Sequence, residues 1–287
     1  MPDKPPSMKT ESKPTLLAAI QMASGPNVSA NLSEAARLVG EAAAAGARLV
    51  VLPENFAHMG MKESDKLEIA EADGEGPMQD FLADLARRHR LWIVGGTIPL
   101  RSADPGRVYA SCLVYDDQGR RVARYDKIHL FDVKLPEGDE SYHESETTMP
   151  GESAVVVETP FGRLGVAICY DLRFPELFRG MMDQGMDLLA LPSAFTAITG
   201  RAHWEALIRA RAIENQVYLV AAAQGGYHVN GRETHGDSMV VDPWGQVLDR
   251  LARGSGVVLG ELHPERIASI RRSFPSLQHR RLSCAIS

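Results

Sequence analysis

The chain has 287 residues, 44% of them hydrophobic, and a formal net charge of -6. That length can bury a sizeable core in one large α/β domain, and a mildly acidic balance without a long basic run argues against nucleic acid or an anionic membrane as a partner. Three cysteines, at 112, 169 and 284, form no CxxC pair, so neither a disulfide framework nor a zinc knuckle is indicated.

Residues 1–14 are polar and proline-rich with no apolar run, which predicts a disordered segment rather than a signal peptide and leaves 15–287 as the domain. Thr15 to Gln21 reads as a strand. Leu32, Ala35, Ala36, Val39, Ala42 and Ala43 then recur at helical spacing, and Gly46 fits a helix stop. Leu49 to Glu54 is a second strand, apolar on both faces and closing on a carboxylate. Phe81, Leu82, Leu85 and Ala86 mark a helix after Pro77, and Leu91 to Thr97 returns as a strand. Cys112 falls in Tyr109 to Tyr115, a segment expected to pack against sheet neighbours, and the turn Asp116 to Gly119 precedes a strand from Arg121 to Lys127. Thr159 to Gly162 turns the chain into the strand that ends at Cys169.

The second half alternates likewise. A helix from Pro175 to Gln184 leads to a strand at Asp187 to Leu191, and a helix over 202–216 leads to Tyr218 to Ala223. Asp242 to Gly245 makes a hairpin, Gly256 to Gly260 adds a strand, and a helix begins near Pro264. This pattern predicts mixed sheets covered by helices without fixing the number of sheets. No apolar stretch approaches the roughly 20 residues that span a bilayer, so a cytoplasmic location is expected.

Glu54, Lys127 and Cys169 each close a predicted strand, and in open α/β folds reactive groups gather beyond the carboxyl ends of strands. Their chemistry is complementary. Glu54 can accept the thiol proton, Cys169 can attack an electrophilic carbon, and Lys127 can stabilise the charge that develops on the carbonyl oxygen or nitrile nitrogen. Cys169 is also expected where a helix begins, a place that favours a thiolate. Spacing alone leaves open the plainer alternative of a core cysteine beside a solvated glutamate and lysine.

Pro53-Glu54-Asn55-Phe56, Tyr125-Asp-Lys127-Ile-His-Leu130 and Ile168-Cys169-Tyr-Asp-Leu-Arg-Phe-Pro-Glu176 resemble, in order, the three signature segments of the nitrilase superfamily, the carbon-nitrogen hydrolases. The resemblance runs from about Thr15 to Gln278-His-Arg-Arg281. Pro192 to Gly200, Ala202 to Gln216 and Ser238 to Gly245 are most similar to the branch of amidases acting on deaminated glutathione, with the omega-amidases of 2-oxoglutaramate as neighbours. It implies a four-layer α-β-β-α sandwich, a thioester acyl-enzyme, no cofactor or metal, a small-molecule amide as partner and substrate, and at least a homodimer. In relatives, helices near the nucleophile and near 202–216 meet across a two-fold axis. Trp204, Ala206, Leu207, Ile208, Ala210, Ala212 and Ile213 are expected to give that helix a wide apolar face. Nitriles and N-carbamoyl compounds remain alternative substrates, since the first chemical step is similar for all.

The family pattern also implies a second glutamate, matched here by Glu144, which would hold the lysine and keep it charged; the alternative is a surface carboxylate in an acidic loop. Tyr170, Arg173, Ser193, Phe195 and Thr196 are the expected substrate contacts, within a polar 193–200 loop of Ser, Thr and Gly for the last three. Arg173 has two roles open to it, a bidentate contact with a substrate carboxylate or an internal pair with a neighbour such as Glu176, and the internal role is favoured. Small residues at Gly225-Gly226 are expected to leave the pocket open for a dipeptide leaving group. Asp237 stands where relatives often carry histidine, and Gly225 to His228 is a loop of variable composition; both bear on substrate identity.

Three other classes fit the sequence less well. No G-x-G-x-x-G follows the first strand and Gly95-Gly96 is too weak a signal for a dinucleotide enzyme. No H-E-x-x-H is present, and His228 and His235 read as surface residues rather than zinc ligands. A non-catalytic binder on the same fold would need a defect that the four filled positions do not show.

Overall fold

Successive residues of a strand face opposite ways, and the first strand, Thr15–Gln21, uses both faces for burial. Leu17 and Ala19 join one apolar cluster while Ala18 and Ile20 join another. Leu49 and Val51 divide from Val50 and Leu52 in the same way. Two cores on the two faces of one sheet require a layer on each side. The computed structural model of the chain, which describes residues 14–135 and 140–282, supplies both.

The first sheet runs Gly256–Leu262, Thr15–Gln21, Leu49–Val51, Trp92–Val94, Val108–Tyr115, Ile98–Arg101, with Arg121–Asp126 also paired to Val108–Tyr115. One face packs on helices α1 (Val28–Ala44) and α2 (Pro77–His89) through Leu38, Val39, Leu82 and Leu85. The other face packs on the second sheet, Val155–Thr159, Gly162–Val166, Leu188–Ser193, Tyr218–Ala223, Ser238–Val241, Val247–Leu251. That sheet is covered in turn by α3 (Pro175–Asp183) and α4 (Ala197–Asn215), whose Phe178, Met181, Trp204 and Ile208 are fully buried, and α5 (Pro264–Ser273) closes the domain. The layers are α-β-β-α, as the resemblance implies.

Some boundaries differ from expectation. The second strand stops at Val51 rather than Glu54, because Pro53 has no N–H to give a ladder. Helix α4 begins at Ala197, so the polar stretch 193–200 is half strand end and half first helical turn. Thr196 caps that turn by accepting the Thr199 N–H at 3.3 Å. The expected disorder before Pro14, and Cys284, lie outside the described residues.

Candidate active site

Glu54 lies three residues past its strand and is 4% exposed. Its approach is fixed from two sides. Gly96 has φ +57°, and a Cβ there would stand 2.2 Å from the Pro53 carbonyl oxygen, so only glycine lets the two segments meet. The Glu54 carbonyl accepts from Gln224 Nε2 at 3.0 Å, while Asn55, itself at φ +56°, donates its N–H to Thr97 Oγ1 at 2.8 Å.

Lys127 follows the strand Arg121–Asp126. Its N–H donates to Ala110 O at 3.0 Å and its carbonyl accepts from Gly151 at 2.8 Å, which leaves the side chain to turn inward, 2% exposed. There Nζ donates to Glu54 Oε1 at 2.8 Å and to Glu144 Oε2 and Oε1 at 2.8 and 3.0 Å. Glu144 is held by a third contact, the Phe131 N–H at 2.7 Å, and is therefore no solvated member of an acidic loop. Burial alone would push the Lys127 ammonium down, but Glu144 and Glu54 outweigh it and hold it well above the usual lysine range.

Cys169 does not open a helix, contrary to expectation. It starts a five-residue 3-10 turn, Cys169–Arg173, and α3 begins only at Pro175, so the macrodipole of a long helix is not aimed at the sulfur. The turn is sharp: Cys169 has φ +47°, a left-handed conformation costly for a residue with a Cβ. Burial pushes the thiol well above its usual range and Glu54 adds to the rise, while Lys127 and a backbone hydrogen bond from Ala194 oppose it. The sulfur therefore sits in a setting that disfavours the thiolate, with Glu54 beside it.

These four side chains line one cavity together with Tyr170, Arg173, Phe195 and Thr196. Arg173 makes no pair with Glu176. Its guanidinium lies 5.2 Å from the Phe195 ring centroid and 5.8 Å from that of Tyr170, with Nη1 3.2 Å from His203 Nδ1. Among the described residues no carboxylate comes within ion-pair distance of it. Ser193 is not in the lining: the strand continues through it, leaving its side chain fully buried and its carbonyl paired with the Gln224 N–H.

Other expectations are corrected by packing. Gly225 and Gly226 border a groove on the outer side of α4, not the cysteine cavity, and Gly225 sits against Gln21. His228 is buried, with Nδ1 2.8 Å from Ser24 O and Nε2 2.8 Å from Thr234 Oγ1, and burial lowers its pKa, so it staples the hairpin as a neutral ring. Asp237 is likewise structural, accepting from Arg250 Nε at 2.8 Å. Thr199, in the expected 193–200 loop, also lines the cavity, and lining residues not foreseen are Phe131, Tyr142, Arg232, Glu63 and Lys66. No group of three or more potential metal ligands occurs among the described residues, and none of their helices is long and apolar enough to cross a membrane.

Comparison with known proteins agrees with this geometry. Residues 16–272 match the family described as carbon-nitrogen hydrolase. A deaminated glutathione amidase from Synechocystis is 45% identical over 271 residues, covering 93% of this chain and 98% of the relative. Among solved structures, the NitFhit protein of C. elegans superposes with a TM-score of 0.87 at 38% identity, covering 95% of this chain and 66% of that longer one. Nit3 of Saccharomyces cerevisiae, a member of branch 10 of the nitrilase superfamily, gives 0.85 at 33% identity, with 96% and 99% of the two chains covered.

Proposed function

The chain belongs to the carbon-nitrogen hydrolase family and is an amidase, and from that premise we propose that it hydrolyses deaminated glutathione to 2-oxoglutarate and cysteinylglycine. The observation that carries the mechanism is the buried Lys127 held between Glu54 and Glu144 in the cavity that contains Cys169. Glu54 takes the thiol proton as sulfur attacks the amide carbon, and the oxygen of the tetrahedral intermediate takes its negative charge beside the Lys127 ammonium. Collapse breaks the C–N bond. The amine of cysteinylglycine leaves with the proton from Glu54, and the 2-oxoglutaryl group stays on Cys169 as a thioester. Water then attacks that carbon, giving its proton to Glu54, and the thiolate departs and is reprotonated. Glu144 fixes Lys127 in place while Glu54 takes and returns the proton.

The oxo-acid end of the substrate carries a carboxylate, and Arg173 with Thr196 and Thr199 is the group that supports binding it. Cys112 and Cys169 are both free thiols, the state a reducing compartment maintains, which supports a cytoplasmic location. A homodimer through α4 is supported by a smaller patch than the sequence implied. Trp204, Ile208 and Ala212 are spent on the core, and Ile213 is left 47% exposed against Gly245, beside Trp244, which meets Phe274 edge-on at 5.7 Å.

The test is kcat/KM for deaminated glutathione, 2-oxoglutaramate and a simple nitrile measured side by side. Deaminated glutathione is expected to lead and the nitrile to be nearly inert. A preference for the nitrile, or no hydrolysis of either oxo-acid amide, overturns the substrate assignment and leaves the Glu-Lys-Cys chemistry standing.

A further inference from the structure

The space around Cys169 is tight, about 50 Å³, but a second cavity of about 230 Å³ adjoins it across a shared wall that includes Glu63, Lys66, Tyr142 and Arg232. Its far side is the 58–62 segment, tied to the Arg232 hairpin by Asn230 Nδ2 donating to Gly60 O at 2.8 Å. Charge on the shared wall is unevenly used. Lys66 is paired with Glu63 at 2.7 Å. Arg232 gives one N–H to the Ala194 carbonyl at 2.6 Å and lies 5.2 Å from the Tyr142 ring centroid, yet no carboxylate among the described residues comes within ion-pair distance, and its Nε is buried without a partner. A guanidinium held by a ring and a carbonyl, with donors unspent, is pre-organised for a planar anion. The reacting groups themselves carry two carboxylates to one ammonium, so a second anionic end of the substrate is repelled from the centre and is accepted at Arg232.

We propose that the cavity beyond Arg232 is the leaving-group subsite and that Arg232 binds the terminal carboxylate of an amide whose amine portion is a short peptide. This rests on deaminated glutathione as substrate. The acyl portion stays in the small space at Cys169, the peptide portion crosses the shared wall into the larger one, and Arg232 is what separates the long amide from the primary amide 2-oxoglutaramate, which has nothing to place there.

The experiment compares Arg232→Gln and Arg232→Lys with the unaltered enzyme on three compounds: deaminated glutathione, its C-terminal amide, and 2-oxoglutaramate. With Arg232→Gln, kcat/KM for deaminated glutathione is expected to fall about tenfold to a hundredfold, the range for losing a charged hydrogen-bonded contact. The 2-oxoglutaramate value should stay within about twofold, which also reports that the variant is folded. Arg232→Lys should fall between. The unaltered enzyme should lose a similar factor on the C-terminal amide, and Arg232→Gln should no longer distinguish amide from acid. Equal losses on all three compounds, or an unaltered enzyme indifferent to the terminal carboxylate, overturn the subsite alone. No hydrolysis of either oxo-acid amide by the unaltered enzyme overturns the substrate assignment and the subsite with it.

Discussion

The Tyr125 hydroxyl donates to Asp171 Oδ2 across 2.7 Å, joining the strand that leads to Lys127 to the turn that begins at Cys169. Asp171 is fully buried and accepts two further N–H groups, from Ile168 at 2.8 Å and His129 at 3.1 Å, with His129 Nδ1 2.7 Å from Oδ1. One carboxylate thus ties the Cys169 turn to the strand that leads to Lys127. Burial, reinforced by Asp171, pushes the Tyr125 hydroxyl well above its usual range, so it stays a donor. Tyr125→Phe is expected to cost about 1 kcal/mol and Asp171→Asn about 2–3 kcal/mol, since an amide nitrogen would face donors it cannot satisfy. Both should lower kcat more than they change KM. Thermal unfolding alongside steady-state kinetics checks this, and lost stability with unaltered kcat would reduce the contact to scaffolding.

A thiol held protonated by burial has to borrow its base, and the pair Cys169 and Glu54 should show that in alkylation. At neutral pH iodoacetamide should label Cys169 in the unaltered protein and label it at least tenfold more slowly in Glu54→Gln, because no base is then left to take the thiol proton as sulfur attacks. Cys112, fully buried with its thiol pushed far up, should stay unlabelled. Peptide mass spectrometry resolves the sites. Cys169→Ala or Cys169→Ser should remove turnover with the fold intact, and more than about a tenth of the original rate in either would refute a covalent route.

The three strand-end residues were legible because a strand announces itself by composition and its last residue by the break in it. Leu49 to Leu52 and Arg163 to Ile168 are such runs, and they deliver Glu54 and Cys169. Glu144 stands in a stretch acidic throughout, where no periodicity marks one carboxylate from another, and only the resemblance to a family singled it out. Arg232 and Asp171 escaped for a different reason. Arg232 sits in a polar hairpin that looks solvated, and Asp171 acts through Tyr125, 46 residues away, a contact made by the sheet pairing and not by any local pattern. The helix over 202–216 misled in its breadth, since 3.6-residue spacing is the same whether a face meets the core or a partner.

Light scattering at micromolar concentration should report at least a dimer. Ile213→Glu places a charge in the exposed patch beside Trp244 and should shift the protein toward monomer with little change in the stability of each chain. A monomeric unaltered protein would refute the α4 interface.

Lys127→Arg keeps the charge but brings a planar fork to a point between two carboxylates around a buried ammonium. It should lose most activity, because the guanidinium cannot meet Glu54, Glu144 and an oxyanion in the geometry a compact ammonium allows. Near-normal kinetics would show that the lysine is not at the reacting oxygen.

Buried acids and bases also set the pH range over which the fold survives. The Cys112 thiol is raised in the folded chain by burial, and its unfolded value is about 8.5. Above that pH the unfolded chain gives up a proton that the folded chain keeps, so the contribution of Cys112 is fully present below about 8.5 and is lost as pH climbs toward the folded value, at about 1.4 kcal/mol per pH unit. Lys127 has the same sign: raised when folded, it contributes fully below the unfolded lysine value of about 10.4 and less above it. Stability should therefore be level from neutral pH to about 8.5, decline beyond it, and steepen past about 10.4. Denaturant unfolding at stepped pH tests the assignment through Cys112→Ala. That variant should lose about 1–2 kcal/mol at neutral pH from the small cavity, and its slope between about pH 9 and 10 should be shallower by one proton. An unchanged slope would mean that Cys112 ionises in the folded protein as readily as in the unfolded one.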